Sequence, residues 1–343
     1  MTLNTLRKQL KEKVLGLNTQ KLHSTSTFEA LALEIFQHQY HQNDLYRRYC
    51  SLLGKDISEI TTIFDIPFLP IQFFKNYVIK TNFEGKSWEE KTVFTSSGTT
   101  GARTSQHFVR DLENYLRIAR SGFEHFYGKI EDYCIIGLLP AYAERTGSSL
   151  IAMVDDFVKI SKHPQSGFFL YDFKKLIAVL KENQAQQIPT LLIGVSFALL
   201  DLAEQYPTDL NNIIIMETGG MKGRRAELTR NELHTHLKNA FNVPQIHSEY
   251  GMTELFSQAY SLKNGIFQPA PTLRAYARDV TDPLCLLKTP NRQGVLNLID
   301  LGNFDTISFI ATDDLGRVQA DGSFEVLGRL DYADIRGCNL LIE

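Results

Sequence analysis

Thr92-Val-Phe-Thr-Ser-Ser-Gly-Thr-Thr-Gly101 is the stretch whose reading decides the fold. Its first four residues are β-branched or aromatic and suit a strand, which runs directly into a loop of hydroxyls and glycines. Gly98 and Gly101 let the backbone approach an anion closely and accept positive φ without a Cβ penalty. Ser96, Ser97, Thr99 and Thr100 add hydroxyl donors beside the loop N–H groups, so the run has the chemistry of a phosphate cradle. It is not a Walker loop: the Gly-Lys-[Ser/Thr] ending is absent, and the next lysine is Lys129. By its local chemistry alone such a run also reads as a solvated turn.

Working outward, short β-rich runs at 92–95, 133–139, 167–171, 190–194 and 213–217 alternate with amphipathic runs near 111–127, 148–160, 172–185, 195–205 and 225–240. That rhythm predicts an α/β fold with a mostly parallel sheet and helices on its faces. Ligands in such sheets bind beyond the carboxyl ends of the strands. The 96–101 loop and the pair Gly219-Gly220 each follow a candidate strand, so one site can collect both. Past residue 266 the pattern changes to short runs, Val295–Ile299, Thr306–Ala311 and Phe324–Leu327, separated by Gly and Asp; these predict small antiparallel strands in a β-rich subdomain.

Residues 1–60 read as helices, with Leu3, Leu6, Leu10 and Val14 on one face and Ser26-Thr-Phe-Glu29 as a capping box. Prolines break the run Ile66-Pro-Phe-Leu-Pro-Ile-Gln-Phe-Phe-Lys75, which is expected to wrap over the core in a packing role.

The chain of 343 residues, 43% hydrophobic and 22% charged, has the composition of an ordinary globular protein. A net charge of -3 with scattered Lys and Arg shows no nucleic-acid footprint and no polybasic membrane anchor. Cys50, Cys134, Cys285 and Cys338 fit neither a disulfide framework nor a CxxC metal pattern, which implies a reducing, cytoplasmic setting. The N-terminus lacks the apolar core of a signal peptide, and the most apolar stretch, Thr190–Ala203, is too short to span a bilayer and contains Asp201. Export and membrane insertion are therefore not expected.

Three further runs follow the loop in order: Glu249-Tyr-Gly-Met-Thr-Glu254, Thr312-Asp-Asp-Leu-Gly316 and Gly328-Arg-Leu-Asp-Tyr-Ala-Asp-Ile-Arg-Gly337. With Ser-Gly-Thr-Thr-Gly they resemble the adenylate-forming superfamily of acyl-CoA synthetases, luciferases and peptide-synthetase adenylation domains. The resemblance implies the large N-terminal-type domain of those enzymes. It divides the chain into a helical N-terminal segment packed on the core (1–90), an α/β nucleotide-binding core (91–265) and a β-rich subdomain ending in a short C-terminal tail (266–343).

It also implies a reaction. A carboxylate attacks the α-phosphorus of ATP, pyrophosphate leaves, and an acyl-adenylate forms. Bringing an anion against a polyanion demands positioning and charge neutralisation. The resemblance places Ser96, Ser97, Gly98, Thr99, Thr100 and Gly101 on the β- and γ-phosphates, Thr253 on the α-phosphate and Glu254 on Mg²⁺. It places Asp314 on the ribose, chosen over Asp313 because it directly precedes Leu-Gly, although Asp-Asp-Leu-Gly also reads as an ordinary turn. Arg329 reaches the nucleotide, and Gly219, Gly220, Ser248, Glu249, Tyr250 and Gly251 flank the adenine, with Tyr250 as a stacking face. His107 and Arg145 stand near matching motifs, as contacts to phosphate or carboxylate or as surface groups.

Full-length superfamily members continue past Gly-Arg-x-Asp into a small C-terminal domain that carries the adenylation lysine; in this chain that domain is expected to be missing. One branch shares the pattern, the LuxE-type acyl-protein synthetases of the fatty acid reductase complex. The likeness to it extends through Ile66–Lys75, Leu139–Leu150, Glu217-Thr-Gly-Gly-Met-Lys222 and Cys338-Asn-Leu-Leu-Ile342. It implies activation of a carboxylic acid, a fatty acid above all, and acyl transfer to Cys338. An acyl-reductase or acyl-carrier protein is then the partner that receives the acyl group. Two alternatives stay open: a phenylacetate-CoA-ligase-like enzyme acylating CoA or a carrier protein, and a non-catalytic nucleotide-binding subunit. Cys338 itself also reads as a small buried hydrophobe beside Leu340, Leu341 and Ile342.

Overall fold

The computed structural model describes residues 3–17, 25–96, 103–140, 147–219 and 228–330. Helices α1 (Leu3–Leu17), α2 (Thr25–Gln42) and α3 (Asp44–Leu52) come first, then the short strand β1 (Leu69–Pro70) and the single turn α4 (Phe73–Asn76). Strands β2 (Thr92–Thr95) and β3 (Gln106–Val109) lead to α5 (Leu112–Tyr127). An alternating stretch follows: β4 (Cys134–Leu138), α6 (Ser149–Ser161), β5 (Gly167–Phe168), α7 (Phe173–Ala185), β6 (Thr190–Val195), α8 (Ser196–Gln205), β7 (Ile213–Thr218), α9 (Arg230–Phe241) and β8 (His247–Tyr250). The last part is strand-rich, with β9 (Ala259–Ser261), β10 (Ile266–Pro269), β11 (Leu273–Arg278), β12 (Gln293–Asp300), β13 (Phe309–Val318) and β14 (Phe324–Arg329).

Strands β5, β4, β6, β7 and β8 lie side by side and parallel. Every residue of β4 and β6 is buried, the signature of parallel strands covered on both faces. The sheet then continues antiparallel through β9, β10, β14, β13, β12 and β11, and β1 adds parallel to β13. The alternation read from the sequence is thus a parallel half-sheet with helical crossovers, and the strand-rich end is joined to it edge to edge.

Two expectations need correction. The strand 92–95 does not join the parallel sheet; it pairs antiparallel with β3, with Phe94 opposite His107. The run Thr312–Gly316 is not a turn but lies inside β13, where Asp314 pairs with Arg329 of β14 and the register shifts at Leu315/Gly316. A bulge of this kind bends a strand and re-aims its side chains.

Packing fixes the site from behind. Helix α5 buries Tyr115, Ile118, Ala119 and Phe123 on one face, the spacing of an amphipathic helix. The Tyr115 ring meets Phe94 at 4.8 Å and Phe256 at 5.3 Å, both edge to face, so one side chain seats β2 and the segment after β8 together. The α5 N-cap, Asp111, accepts from Asn114 N at 3.1 Å and from Lys11 Nζ at 2.7 Å, tying α1 to α5. Arg7 of α1 reaches Asp305 in a bidentate pair at 2.8 and 2.6 Å. Among the described residues, no helix is long and apolar enough to cross a membrane.

Candidate active site

The hydroxyl-rich loop leaves β2 at Ser96 and returns to β3 at Ser105. At that neck Ser96 N donates to Ser105 O at 3.1 Å and Ser105 N donates to Ser96 Oγ at 2.9 Å. The Ser105 hydroxyl is then turned onto the carboxylate of Glu254. The base of the loop and the glutamate of the Tyr-Gly-Met-Thr-Glu run are therefore neighbours, close enough for Ser105 to favour the ionised carboxylate. Ser97, Gly98, Thr99, Thr100 and Gly101 lie outside the described residues.

Glu254 is only 6% exposed. Burial pushes its carboxyl above the usual range, against the opposing effects of the Ser105 bond and the positive charges of Arg329 and Lys75. Among the described residues it makes no ion pair, and no group of three potential metal-ligating side chains gathers. A buried carboxylate with one hydroxyl donor and no bonded cation suits a Mg²⁺ ion that takes its remaining ligands from phosphates and water.

The segment 251–257 that carries Thr253 and Glu254 has no regular secondary structure. Side chains from elsewhere hold its main chain. His107 Nδ1 meets Thr253 O at 2.9 Å, and Asn303 Nδ2 donates to Glu254 O at 2.7 Å. Asp300 accepts from Phe256 N at 2.7 Å and Ser257 N at 2.9 Å through one oxygen, and from Ser257 Oγ at 2.7 Å and Gly302 N at 2.9 Å through the other. Removing that acceptor strands three buried main-chain donors, each worth about 1–3 kcal/mol when unsatisfied, and leaves the Ser257 hydroxyl to Thr272 alone. Asp300→Ala is accordingly expected to cost at least about 3 kcal/mol, read as a lower urea midpoint at an unchanged slope. Asp300→Asn, which keeps one acceptor oxygen, should lose less.

The nucleoside end gathers on β8, β13 and β14. Tyr250 is buried; its hydroxyl donates to Asp314 Oδ2 at 2.7 Å, and its ring lies against Phe267 and Phe324. Arg329 Nε donates to Asp314 Oδ1 at 3.2 Å from a side chain that is 76% exposed, so the guanidinium reaches in from the solvent side. Asp313, the neighbour of Asp314, is held apart: Gln72 Nε2 donates to its two oxygens at 2.8 and 2.7 Å.

That contact corrects the reading of Ile66–Lys75. The segment does pack, through β1 on β13 and Phe74 on His107 at 5.4 Å. It also borders the site, with Gln72 on Asp313 and Lys75 near enough to favour ionised Glu254. Ser105, Gln72, Lys75, Asn303 and Asp300 escaped sequence reasoning; the two prolines that stop helix formation at 66–70 were the one local sign of an unusual path there.

At the carboxyl ends of β7 and β8, Thr218 lies opposite Glu249 and its hydroxyl donates to the Glu249 carboxylate. Burial raises the Glu249 carboxyl to about 7, Thr218 opposing and the nearby Glu217 reinforcing the shift. Its Oε1 rests against Gly251, where a Cβ would come within 2.3 Å, so any larger residue there has to push the Glu249 carboxylate aside. Gly219 turns out of β7 with φ of +70° and accepts the Ser196 hydroxyl on its carbonyl at 2.5 Å. Ser248 is buried with its Oγ 3.3 Å from His234 Nε2. Glu217 is equally buried, yet a His234 bond and the charge of Arg230 keep its carboxyl below the usual range. Gly220, Arg145 and Cys338 lie outside the described residues.

Motif residues from separate parts of the chain thus meet around one end of the sheet. The sequence of residues 16–343 matches the family described as acyl-protein synthetase, LuxE. The chain belongs to that family. A LuxE-family relative from Vibrio harveyi, the long-chain-fatty-acid–luciferin-component ligase, is 26% identical over 335 residues, covering 89% of this chain and 84% of that protein. The ligase of the same name from Photorhabdus luminescens is 40% identical over 76 residues, 22% of this chain and 60% of that protein. Among solved structures, ATP-bound MatB from Rhodopseudomonas palustris superposes with a TM-score of 0.52 at 16% identity, over 72% of this chain and 50% of that one. The last likeness shows a shared fold. This LuxE-family chain spans about half the length of that structure.

Proposed function

We propose that the protein activates a fatty acid with ATP and passes the acyl group to a protein thiol. The observation that supports this reading is the Ser96–Ser105 neck of the hydroxyl-rich run lying next to the buried Glu254 carboxylate, which makes no ion pair among the described residues. Family membership and the name of the Vibrio relative supply the substrate class, a long-chain fatty acid. MatB, an ATP-bound protein of the same fold, supports ATP as the co-substrate.

In the first step an oxygen of the fatty acid carboxylate attacks the α-phosphorus. The bond from that phosphorus to the bridging oxygen breaks, and pyrophosphate leaves with the electron pair. The 96–101 loop holds the β- and γ-phosphates by N–H and O–H donors, and Thr253 donates to the α-phosphate. Bound Mg²⁺, held by Glu254, supplies charge neutralisation to the phosphates. Asp314 is oriented by the Tyr250 hydroxyl and retains lone pairs on both oxygens for the ribose hydroxyls. Solvent-facing Arg329 lends positive charge to the nucleotide, and Gly219, Gly220, Ser248, Glu249, Tyr250 and Gly251 form the adenine side.

In the second step the Cys338 thiolate attacks the acyl carbon, the carbon–oxygen bond to AMP breaks, and AMP departs. A partner protein with its own thiol, an acyl-reductase or acyl-carrier protein, then takes the acyl group by thioester exchange.

Exchange of labelled pyrophosphate into ATP, run with a panel of fatty acids, tests the first step. Exchange that requires both acid and Mg²⁺ and needs no CoA is expected. Its absence with every acid, while nucleotide still binds, removes the enzyme and leaves a nucleotide-binding subunit.

A further inference from the structure

One imidazole joins three parts of the site. His107 sits on β3, the strand that receives the chain after the hydroxyl-rich loop, and pairs with Phe94 of β2. Its ring is wholly buried between Phe74 at 5.4 Å and Phe256 at 5.0 Å. Nδ1 lies 2.9 Å from Thr253 O and Nε2 lies 3.0 Å from Thr306 Oγ1. A carbonyl oxygen can only accept, so Nδ1 carries the proton and Nε2 accepts from the Thr306 hydroxyl. Burial holds the ring neutral, with its pKa lowered to about 4, so this single tautomer persists across the physiological range.

Thr306 is itself fixed. Its N–H donates to Asn303 O at 2.9 Å, and its carbonyl accepts from Asn43 Nδ2 at 3.2 Å and from the Thr81 hydroxyl. The Thr253 carbonyl is therefore tied, through one ring, to a rigid turn on one side and to the strand leaving the phosphate loop on the other. The adjacent Glu254 carbonyl is tied to the same turn by Asn303. Nothing else among the described residues links β3 to the Thr253–Glu254 main chain by a side-chain hydrogen bond.

We propose that His107 is a positioning residue for adenylation: by donating from Nδ1 to Thr253 O it fixes the main chain of Thr253 and Glu254 relative to β3 and the Ser96–Ser105 neck. It touches no substrate and acts through those two residues. The proposal rests on the adenylation reading above, because it assigns His107 a role only in placing groups that reading uses. Misplacing a reacting array by about 1 Å can cost on the order of 10²-fold in rate, which sets the scale of the effect.

The test uses the full chain and pyrophosphate exchange, with kcat and the KM for ATP measured separately beside the thermal midpoint. His107→Asn places an amide N–H near Nδ1 and keeps the donor to Thr253; His107→Gln places its amide near Nε2 and loses that donor; His107→Leu loses both bonds. Expected are a kcat lowered roughly 10- to 100-fold in the Gln and Leu variants, with KM for ATP within about threefold, and rescue to within about fivefold by Asn. A purely structural role predicts instead that activity follows the thermal midpoint, with Asn no better than Gln; that result, or full kcat in the Gln variant, overturns the proposal. Thr306→Val keeps the ring and its bond to Thr253 O and removes the hydroxyl that supports Nε2, together with that hydroxyl's long 3.4 Å bond to Asn303 O, so it carries the test if a His107 variant fails to fold. A severalfold loss of kcat at unchanged KM supports the proposal, and unchanged kcat counts against it. Wild-type exchange is the separate control: if it is absent, the adenylation reading has failed and this proposal falls with it.

Discussion

Glu254→Gln is expected to lower pyrophosphate exchange roughly 10²- to 10³-fold while leaving the fold intact or slightly more stable. The two halves of that expectation come from the same observation. A carboxylate that is 6% exposed, with one hydroxyl donor and no ion pair among the described residues, is costly to keep charged, and burial raises its pKa. Glutamine keeps the shape and the acceptor for Ser105 without the charge. The stability gain has a pH signature. Because the folded pKa of Glu254 lies above its unfolded value, the native state binds the proton more tightly, and stability from this group falls as pH rises from the unfolded toward the folded pKa. The variant should therefore exceed wild type at neutral pH and converge with it toward about pH 4, where both states of the wild type are protonated. Chemical denaturation at the two pH values and exchange against Mg²⁺ concentration read both halves. If Glu254→Gln retains exchange, or if it loses stability at neutral pH, Glu254 is a structural residue and the charge-neutralising role assigned to it is wrong.

How far the sequence reaches is clear from particular elements. Strands β4, β6 and β7 were legible because parallel strands buried on both faces must be continuous apolar runs, and the helices between them because one face repeats at 3.6 residues. Strand β3 was not. Gln106-His107-Phe108-Val109 is four residues long and becomes a strand only by pairing with β2. Strand β1 is two residues, one of them proline, and exists through its register with Ile310 and Ala311. The Asp-Asp-Leu-Gly run, taken by resemblance as the ribose site, by its local residues also reads as a turn; pairing of Asp314 with Arg329 makes it a strand instead.

The site divides along the same line. Tyr250, Glu254, Asp314 and Arg329 stood out because motif runs carry them, and resemblance, not propensity, proposed roles for them. Of the residues that hold them, His107 stood out beside a motif, as a phosphate or carboxylate contact or a surface group, and lies buried against a main-chain carbonyl instead; Gln72 and Asn303 carried no role, and each of the three acts at long range. His107 meets a carbonyl 146 positions away, Gln72 a carboxylate 241 away and Asn303 a carbonyl 49 away. A single sequence carries no local trace of such pairings, since polar residues at those positions read equally well as surface groups.

The largest separation of effects is expected from Cys338→Ser: pyrophosphate exchange within about twofold of wild type, and acylation of the protein lowered by more than about a hundredfold. Adenylation as argued above uses groups on β2, β3, β8, β13 and β14 and no thiol, so losing the sulfur leaves the first step untouched. The second step needs a thiolate. A cysteine supplies a few per cent of thiolate near neutral pH and is intrinsically very nucleophilic, whereas a serine hydroxyl with no general base supplies almost no alkoxide. Transfer by wild type should accordingly rise with pH as the thiol ionises, and labelled acyl groups on it should be released by neutral hydroxylamine, as a thioester is and an oxygen ester is not. The measurement is retained label after denaturation, with and without hydroxylamine, beside exchange on the same samples. Label that stays on the serine variant at the wild-type level takes Cys338 out of the reaction. Exchange that falls together with acylation places Cys338 in the first step or in folding, and the two-step scheme would then have to be redrawn around a different acceptor.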